Sequence, residues 1–151
     1  MAAALAVVML AGSVAAEPPL TISFWAVRAS HAPGEEQHFD AGLSEVVESL
    51  ADLPFNDFQL VSSGDLTAEF GGGRAERELT DRYHFFFEPQ SREAEGRARA
   101  RLCVEMRDVQ DKNRMVKAVD SRVVLAPGQP MRMGGLKLDG GDLILIIKMR
   151  S

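Results

Sequence analysis

Leu143-Ile144-Leu145-Ile146-Ile147 is an unbroken run of large apolar residues near the end of the 151-residue chain. Successive side chains of a strand point to opposite faces. A run without polar alternation therefore predicts a central strand that is dry on both sides. At a sheet edge the same run would be an aggregation hazard or a place for a partner strand to dock. Upstream of it, Asp139-Gly140-Gly141-Asp142 reads as a tight turn, Leu136 and Leu138 as the end of a preceding strand, and Met131, Met133 and Gly134-Gly135 as its start. Pro127-Gly128 suits the centre of a type II turn, where Pro fixes φ and Gly takes the positive φ beside it. It follows the β-branched strand Met115–Ala126, so this third of the chain reads as a β-meander with short turns.

The same period of two runs back through the chain. Ala98, Ala100, Leu102, Val104 and Met106 share one face of a strand, and Arg97, Arg99, Arg101, Cys103, Glu105 and Arg107 share the other. Leu79, Tyr83, Phe85 and Phe87 oppose Arg82, His84 and Phe86, with Pro89 as the expected end of that strand. Large aromatics at strand spacing are core. Phe55, Phe58 and Leu60 predict a strand entering a turn at Ser62-Ser63-Gly64-Asp65, with Leu66, Ala68 and Phe70 on the returning strand of a hairpin. Gly71-Gly72-Gly73 then reads as a flexible turn. It is not a P-loop, because no Lys-Ser or Lys-Thr and no helix follow.

Near the start of the domain, Leu20, Ile22, Phe24 and Ala26 form one apolar strand face, and Trp25 and Val27 make the other face apolar as well. That second face calls for a cover. Leu43, Val46, Val47 and Leu50 recur at i, i+3, i+4, i+7 across residues 40–53, which predicts a single α-helix with Asp40 as N-cap and Pro54 as its stop. Ser30–Phe39 has no periodicity and contains Pro33-Gly34, so it is a loop. The expected architecture is mainly β: an antiparallel β-sandwich or partly open barrel with one packed α-helix. Helices do not alternate with strands, which excludes a doubly wound α/β fold.

Residues 1–16, Met-Ala-Ala-Ala-Leu-Ala-Val-Val-Met-Leu-Ala-Gly-Ser-Val-Ala-Ala, read as an export signal. Val14 and Ala16 stand at the small-residue positions, and cleavage after Ala16 would release a β-rich domain of residues 17–151. The run is too short to span a bilayer and no second one follows. It carries no Lys or Arg, so the true start could lie upstream. The expected address is periplasmic or secreted. The net charge of −5 argues against nucleic acid, whose backbone calls for a basic stripe. Cys103 is the only cysteine, so no intrachain disulfide forms even in a compartment that permits one.

Few residues offer chemistry. His31, Glu35, Glu36, His38 and Asp40 concentrate metal-capable groups in or beside one loop, with His31, Glu35, His38 and Asp40 the best ligands. Their spacing matches no metal signature, and a solvated acidic loop explains them as well. Arg97, Arg99 and Arg101 project at period two and could bind an anionic glycan or lipid headgroup through their guanidinium forks. A solvated face balanced by Glu93, Glu95 and Glu105 is the competing reading. Cys103, on the same face, is either a thiol activated by nearby cations or one shaded by its surroundings. No Gly-x-Ser-x-Gly turn is present, and His84 reads as a packed or surface histidine. The leading expectation is a non-enzymatic interaction or assembly module without cofactor that binds another envelope protein. A glycan- or lipid-binding module comes second, and a small metal-dependent hydrolase built on the His31–Asp40 loop third.

Val123-Val124-Leu125-x-Pro127-Gly128, Met133-Gly134-Gly135, Asp139-Gly140 and Leu143-Ile144-Leu145-x-Ile147, together with Arg28-Ala29-Ser30 at the end of the first strand and the segment from Leu53-Pro54-Phe55 to Leu60-Val61, resemble a group of uncharacterised bacterial exported small β-sandwich proteins. The resemblance implies fold and export and transfers no catalytic residue. The Pro-Gly…Gly-Gly-Leu rhythm is also similar to a hairpin of outer-membrane secretin channels, over about twenty residues that convergence reaches easily.

Overall fold

β1 (Leu20–Ser30) is the strand on which the rest is organised, and it is apolar on both faces as its sequence demands. The computed structural model describes residues 17–150; the expected leader lies outside the described residues. β1 pairs antiparallel with β3 (Asp57–Ala68) on one side and with β9 (Gly141–Met149) on the other. β8 (Pro130–Leu138) and the two-residue β2 (His38–Phe39) complete a five-stranded sheet of order β2-β3-β1-β9-β8. The second sheet has order β4-β5-β6-β7, from β4 (Ala75–Glu78), β5 (Tyr83–Arg92), β6 (Ala98–Arg107) and β7 (Met115–Leu125). The molecule is a β-sandwich of these two sheets, not a closed barrel.

Two apolar clusters hold it. Between the sheets lie Ile22, Phe24 and Ala26 of β1, Leu143, Leu145 and Ile147 of β9, and Phe85, Phe87, Leu102 and Val104 of the second sheet. Outside the first sheet lie Trp25, Val27, Ile144, Ile146 and Phe58, roofed by Leu43, Val46 and Leu50. β9 is thus the central, doubly buried strand that its sequence requires. Tyr83 ties the layers together: its hydroxyl donates to the Lys137 carbonyl (2.7 Å) and accepts from the Lys137 N–H (3.1 Å).

Several local expectations need correction. Ser62-Ser63-Gly64-Asp65 is not a hairpin turn; it continues β3 along the whole of β1, with Gly64 opposite Phe24 and Asp65 opposite Ser23. Turn-like residues are tolerated because each finds a place. The Ser23 hydroxyl donates to Asp65 and itself accepts from Arg150 Nε, and a Cβ on Gly64 would already touch the Phe24 ring at 3.4 Å. The flexibility goes into a bulge instead. Ala26 pairs with Ser62 but Val27 with Leu60, so Val61 is extruded and 40% exposed. A one-residue slip flips a strand's faces. Phe58 and Leu60 therefore join the outer cluster, while Leu66 and Ala68, at the same parity in sequence, join the inter-sheet core.

The expected helix over 40–53 is a 3₁₀ turn at Ala41–Leu43 followed by one α turn, α1 (Val47–Leu50). Its apolar residues still roof the sheet, but Asp40 makes no cap bond; its carboxylate accepts from the Leu60 N–H at 2.8 Å. Packing, more than propensity, holds so short a segment. Pro89 does not end β5, which runs on to Arg92. β4 pairs only as far as Phe87 and a bulge follows at Gln90, so no ladder donor is needed from Pro89. The C-terminal third is not a meander, because β7 and β8 belong to different sheets. The Pro127-Gly128 turn, with Gly128 at φ 72° and the Gln129 N–H donating to the Ala126 carbonyl (3.2 Å), carries the chain across the sandwich.

Candidate functional site

The outer face of the second sheet collects one of the two groups that sequence singles out for chemistry, the arginines with Cys103 and His84. Strand alternation sends Ala98, Ala100, Leu102 and Val104 inward and leaves Arg99, Arg101, Cys103 and Glu105 outside. Cross-strand register then sets Cys103 between Phe86 and Asp120, Glu105 between His84 and Lys117, and Arg101 between Glu88 and Arg122.

The arginines do not form a free ladder. Arg101 grips Asp120 with both Nε and a terminal nitrogen at 2.8 Å and approaches Glu88 at 3.5 Å. Arg99 meets Glu93 at 3.3 Å; Arg97 lies 3.9 Å from Glu95 and donates to the Ala94 carbonyl. Glu93 and Glu95 are the acids expected from sequence, but Asp120 takes the place of Glu105. The hydrogen bonds from Arg101 hold the Asp120 carboxyl well below the usual carboxylate range, and the same bonds raise the Arg101 guanidinium further. Lys117 adds a third donor to Asp120 at 3.3 Å.

Cys103 lies buried in this lattice. Burial comes first and the carboxylates of Asp120 and Glu105 second in pushing its thiol up, outweighing Arg101 and Lys117. The thiol is therefore shaded rather than activated, since reactive cysteines have depressed values. Sequence reading overlooked Arg74, whose guanidinium lies 3.7 Å over the Phe86 ring and shelters it. A cation immediately before β4, twelve positions from one lone outward aromatic, was the only available signal.

The loop residues proposed as metal ligands are not brought together. His31 packs its ring on Phe55 (5.2 Å between centroids), His38 and Glu35 are exposed, and Asp40 is committed to Leu60. Among the described residues no three His, Cys, Asp or Glu side chains gather as a metal site. Asn56 shapes the loop: it accepts from the Ala32 N–H (2.7 Å) and donates to the carbonyls of Ala32 and Gly34.

The four sheet edges differ. β2 has two residues and β4 four, and β8 opens with Pro130 and is bulged at Gly134-Gly135. β7 presents eleven residues, pairs only with β6, contains no Pro or Gly, is bulged once at Ala118, and is exposed along most of its length, including Met115 (37%) and Val124 (44%). A long free edge displays unpaired N–H and C=O groups to any extended chain. Among the described residues no helix is long and apolar enough to cross a membrane. Comparison with family models, with curated proteins and with solved structures finds no match for the chain.

Proposed function

We propose that the chain is an exported, non-enzymatic interaction module that binds another envelope protein by accepting one of its strands on the free edge of β7. The observation that carries this reading is the contrast in length between edges: β2 and β4 are very short and β8 opens with proline, whereas β7 offers eleven residues without Pro or Gly, interrupted by one bulge at Ala118. Strand addition draws affinity from main-chain hydrogen bonds and specificity from alternate side chains. Arg122 is exposed and has no carboxylate within 4.0 Å among the described residues, so it suits a partner strand with an acidic residue opposite. The reading of an anion-binding arginine face draws less support, because those guanidiniums are paired. The metal-hydrolase reading also draws less, because its ligands are dispersed.

The test is crosslinking from β7 in cells expressing the full chain, followed by fractionation. The expected result is an envelope-fraction protein beginning at Glu17 and one discrete crosslinked partner, lost in the double variant M115K/V124K, which puts Lys at both ends of the edge. Crosslinks that persist in that variant, or a chain that stays in the cytoplasm uncut, overturn the reading.

A further inference from the structure

The inward-facing stripe of β1 runs Ile22, Phe24, Ala26 and then Arg28, so the inter-sheet core ends on a guanidinium at one mouth of the sandwich. Across that mouth, immediately before β5, stands Arg82. The Thr80 hydroxyl accepts from the backbone N–H groups of Arg82 and Tyr83, both at 3.1 Å, and fixes the turn that presents it. Arg28 and Arg82 line one cavity of about 270 Å³ together with Asp81, Asp139, Val61 and Leu138. The Nε of each arginine is buried without a hydrogen-bond partner. Among the described residues neither arginine has a carboxylate within 4.0 Å, a condition shared with Arg77, Arg92, Arg107, Arg114 and Arg122, but Arg28 and Arg82 are the two that combine it with an orphaned Nε and a common cavity. Buried donors are nearly always satisfied, and an orphaned one asks for an explanation.

The geometry points to a binding site for a small zwitterion of the α-amino-acid class. Each sheet supplies one cation and one anion: Arg28 and Asp139 from the five-stranded sheet and its β8–β9 turn, Arg82 and Asp81 from the approach to β5. Guanidinium forks match a carboxylate. A simple anion would meet repulsion from the two aspartates, and a simple cation from the two arginines. A ligand with both charges satisfies all four groups, and Val61 and Leu138 offer its side chain an apolar wall. The volume is slightly below that of pockets for drug-sized ligands and fits one small metabolite. This site lies apart from the β7 edge and stands or falls separately from it.

The experiment is calorimetric and thermal-shift titration of the protein with a panel of free L-amino acids, with acetate, ethylamine and inorganic phosphate as single-charge probes. At least one amino acid should bind saturably and raise the unfolding midpoint, with acetate, ethylamine and phosphate at least tenfold weaker. R28Q and R82Q should each weaken amino-acid binding at least tenfold. D139N, a change on an exposed turn that Asn tolerates, should weaken amino-acid binding while leaving acetate unchanged, and it serves if the arginine variants do not fold. No saturable binding by any amino acid, binding indifferent to R82Q and D139N, or acetate as tight as the best amino acid overturns the proposal.

Discussion

The two outer faces of the sandwich keep apolar groups from water in different ways. The five-stranded sheet presents Trp25, Val27, Ile144 and Ile146, and the chain commits residues 40–53 to roofing them. The four-stranded sheet buries only Phe86 and Cys103 on its outer face, in a field of charges, and leaves Met115 and Val124 of β7 exposed. Phe86 and Cys103 are 8% and 6% exposed with no layer above them among the described residues: Arg74 lies over the Phe86 ring, His84 flanks it at 4.8 Å, and Cys103 sits beside the Arg101–Asp120 pair. Long charged side chains bury their stems while keeping their heads wet. A contiguous apolar patch recruits a structural element, and an isolated apolar group can be shaded in place.

The comparison is broken hardest at Val61. Deleting this bulged residue forces β3 into a single register, which turns either Phe58 and Leu60 or Leu66 and Ala68 to the wrong face. Loss of a cooperative unfolding transition is the expected result, read by circular dichroism against denaturant. A variant with native stability would show that the two clusters do not depend on this bulge. Next comes a matched pair of truncations. Phe58 is fully buried, stacked on Phe39 at 4.8 Å and edge-on to Phe55, so F58A should cost about 3–5 kcal/mol by denaturant unfolding. F86A removes a ring covered by Arg74 and flanked by His84 and should cost about 1–2 kcal/mol. Equal costs would mean that the second face has a packed cover after all.

Much of this was legible in the residues. The doubly apolar runs of β1 and β9 mark both as strands covered on two faces, though not as neighbours, and the alternation of β5 and β6 fixes which side of each is core, because period two is a local signal. The bulge at Val61 was not legible. Ser62-Ser63-Gly64-Asp65 has the composition of a turn, and only pairing with an eleven-residue β1 makes extension the better use of it. Sheet membership was equally hidden: Pro127-Gly128 reads as a tight turn whether its strands pair or part. Among site residues, the pairing of Arg99 with Glu93 is short-range and readable. The Arg101–Asp120 bond spans a cross-strand register that no local pattern contains. The cavity at Arg28 and Arg82 joins segments 54 positions apart in sequence, and its one sequence signal was a charge ending an apolar stripe.

A finer probe of the shaded face is the thiol. With its pKa raised, Cys103 should react with a maleimide at neutral pH at least tenfold more slowly in the folded protein than in denaturant. A thiol ionising later in the folded state costs stability only as pH rises above the unfolded value of about 8.5. Reaction as fast as in the unfolded chain would mean that the charged arms do not shelter this face.

The smallest expected effect is at Asp120. Its folded pKa lies below the ordinary carboxylate value of about 3.9, so its contribution to stability is fully present above that pH and is lost as pH falls toward the folded value. D120N removes the charge at every pH. The stability gap between wild type and variant should therefore be full at neutral pH and close progressively below about pH 4. The gap should be small, because the pair is solvent-facing and Arg101 falls back on Glu88 at 3.5 Å when Asp120 is neutral. A gap that persists unchanged into acid would assign the loss to the shape of the side chain and not to its charge. The arms over Phe86 and Cys103 would then be held by packing, and the two faces of the sandwich would differ only in which segment supplies the cover.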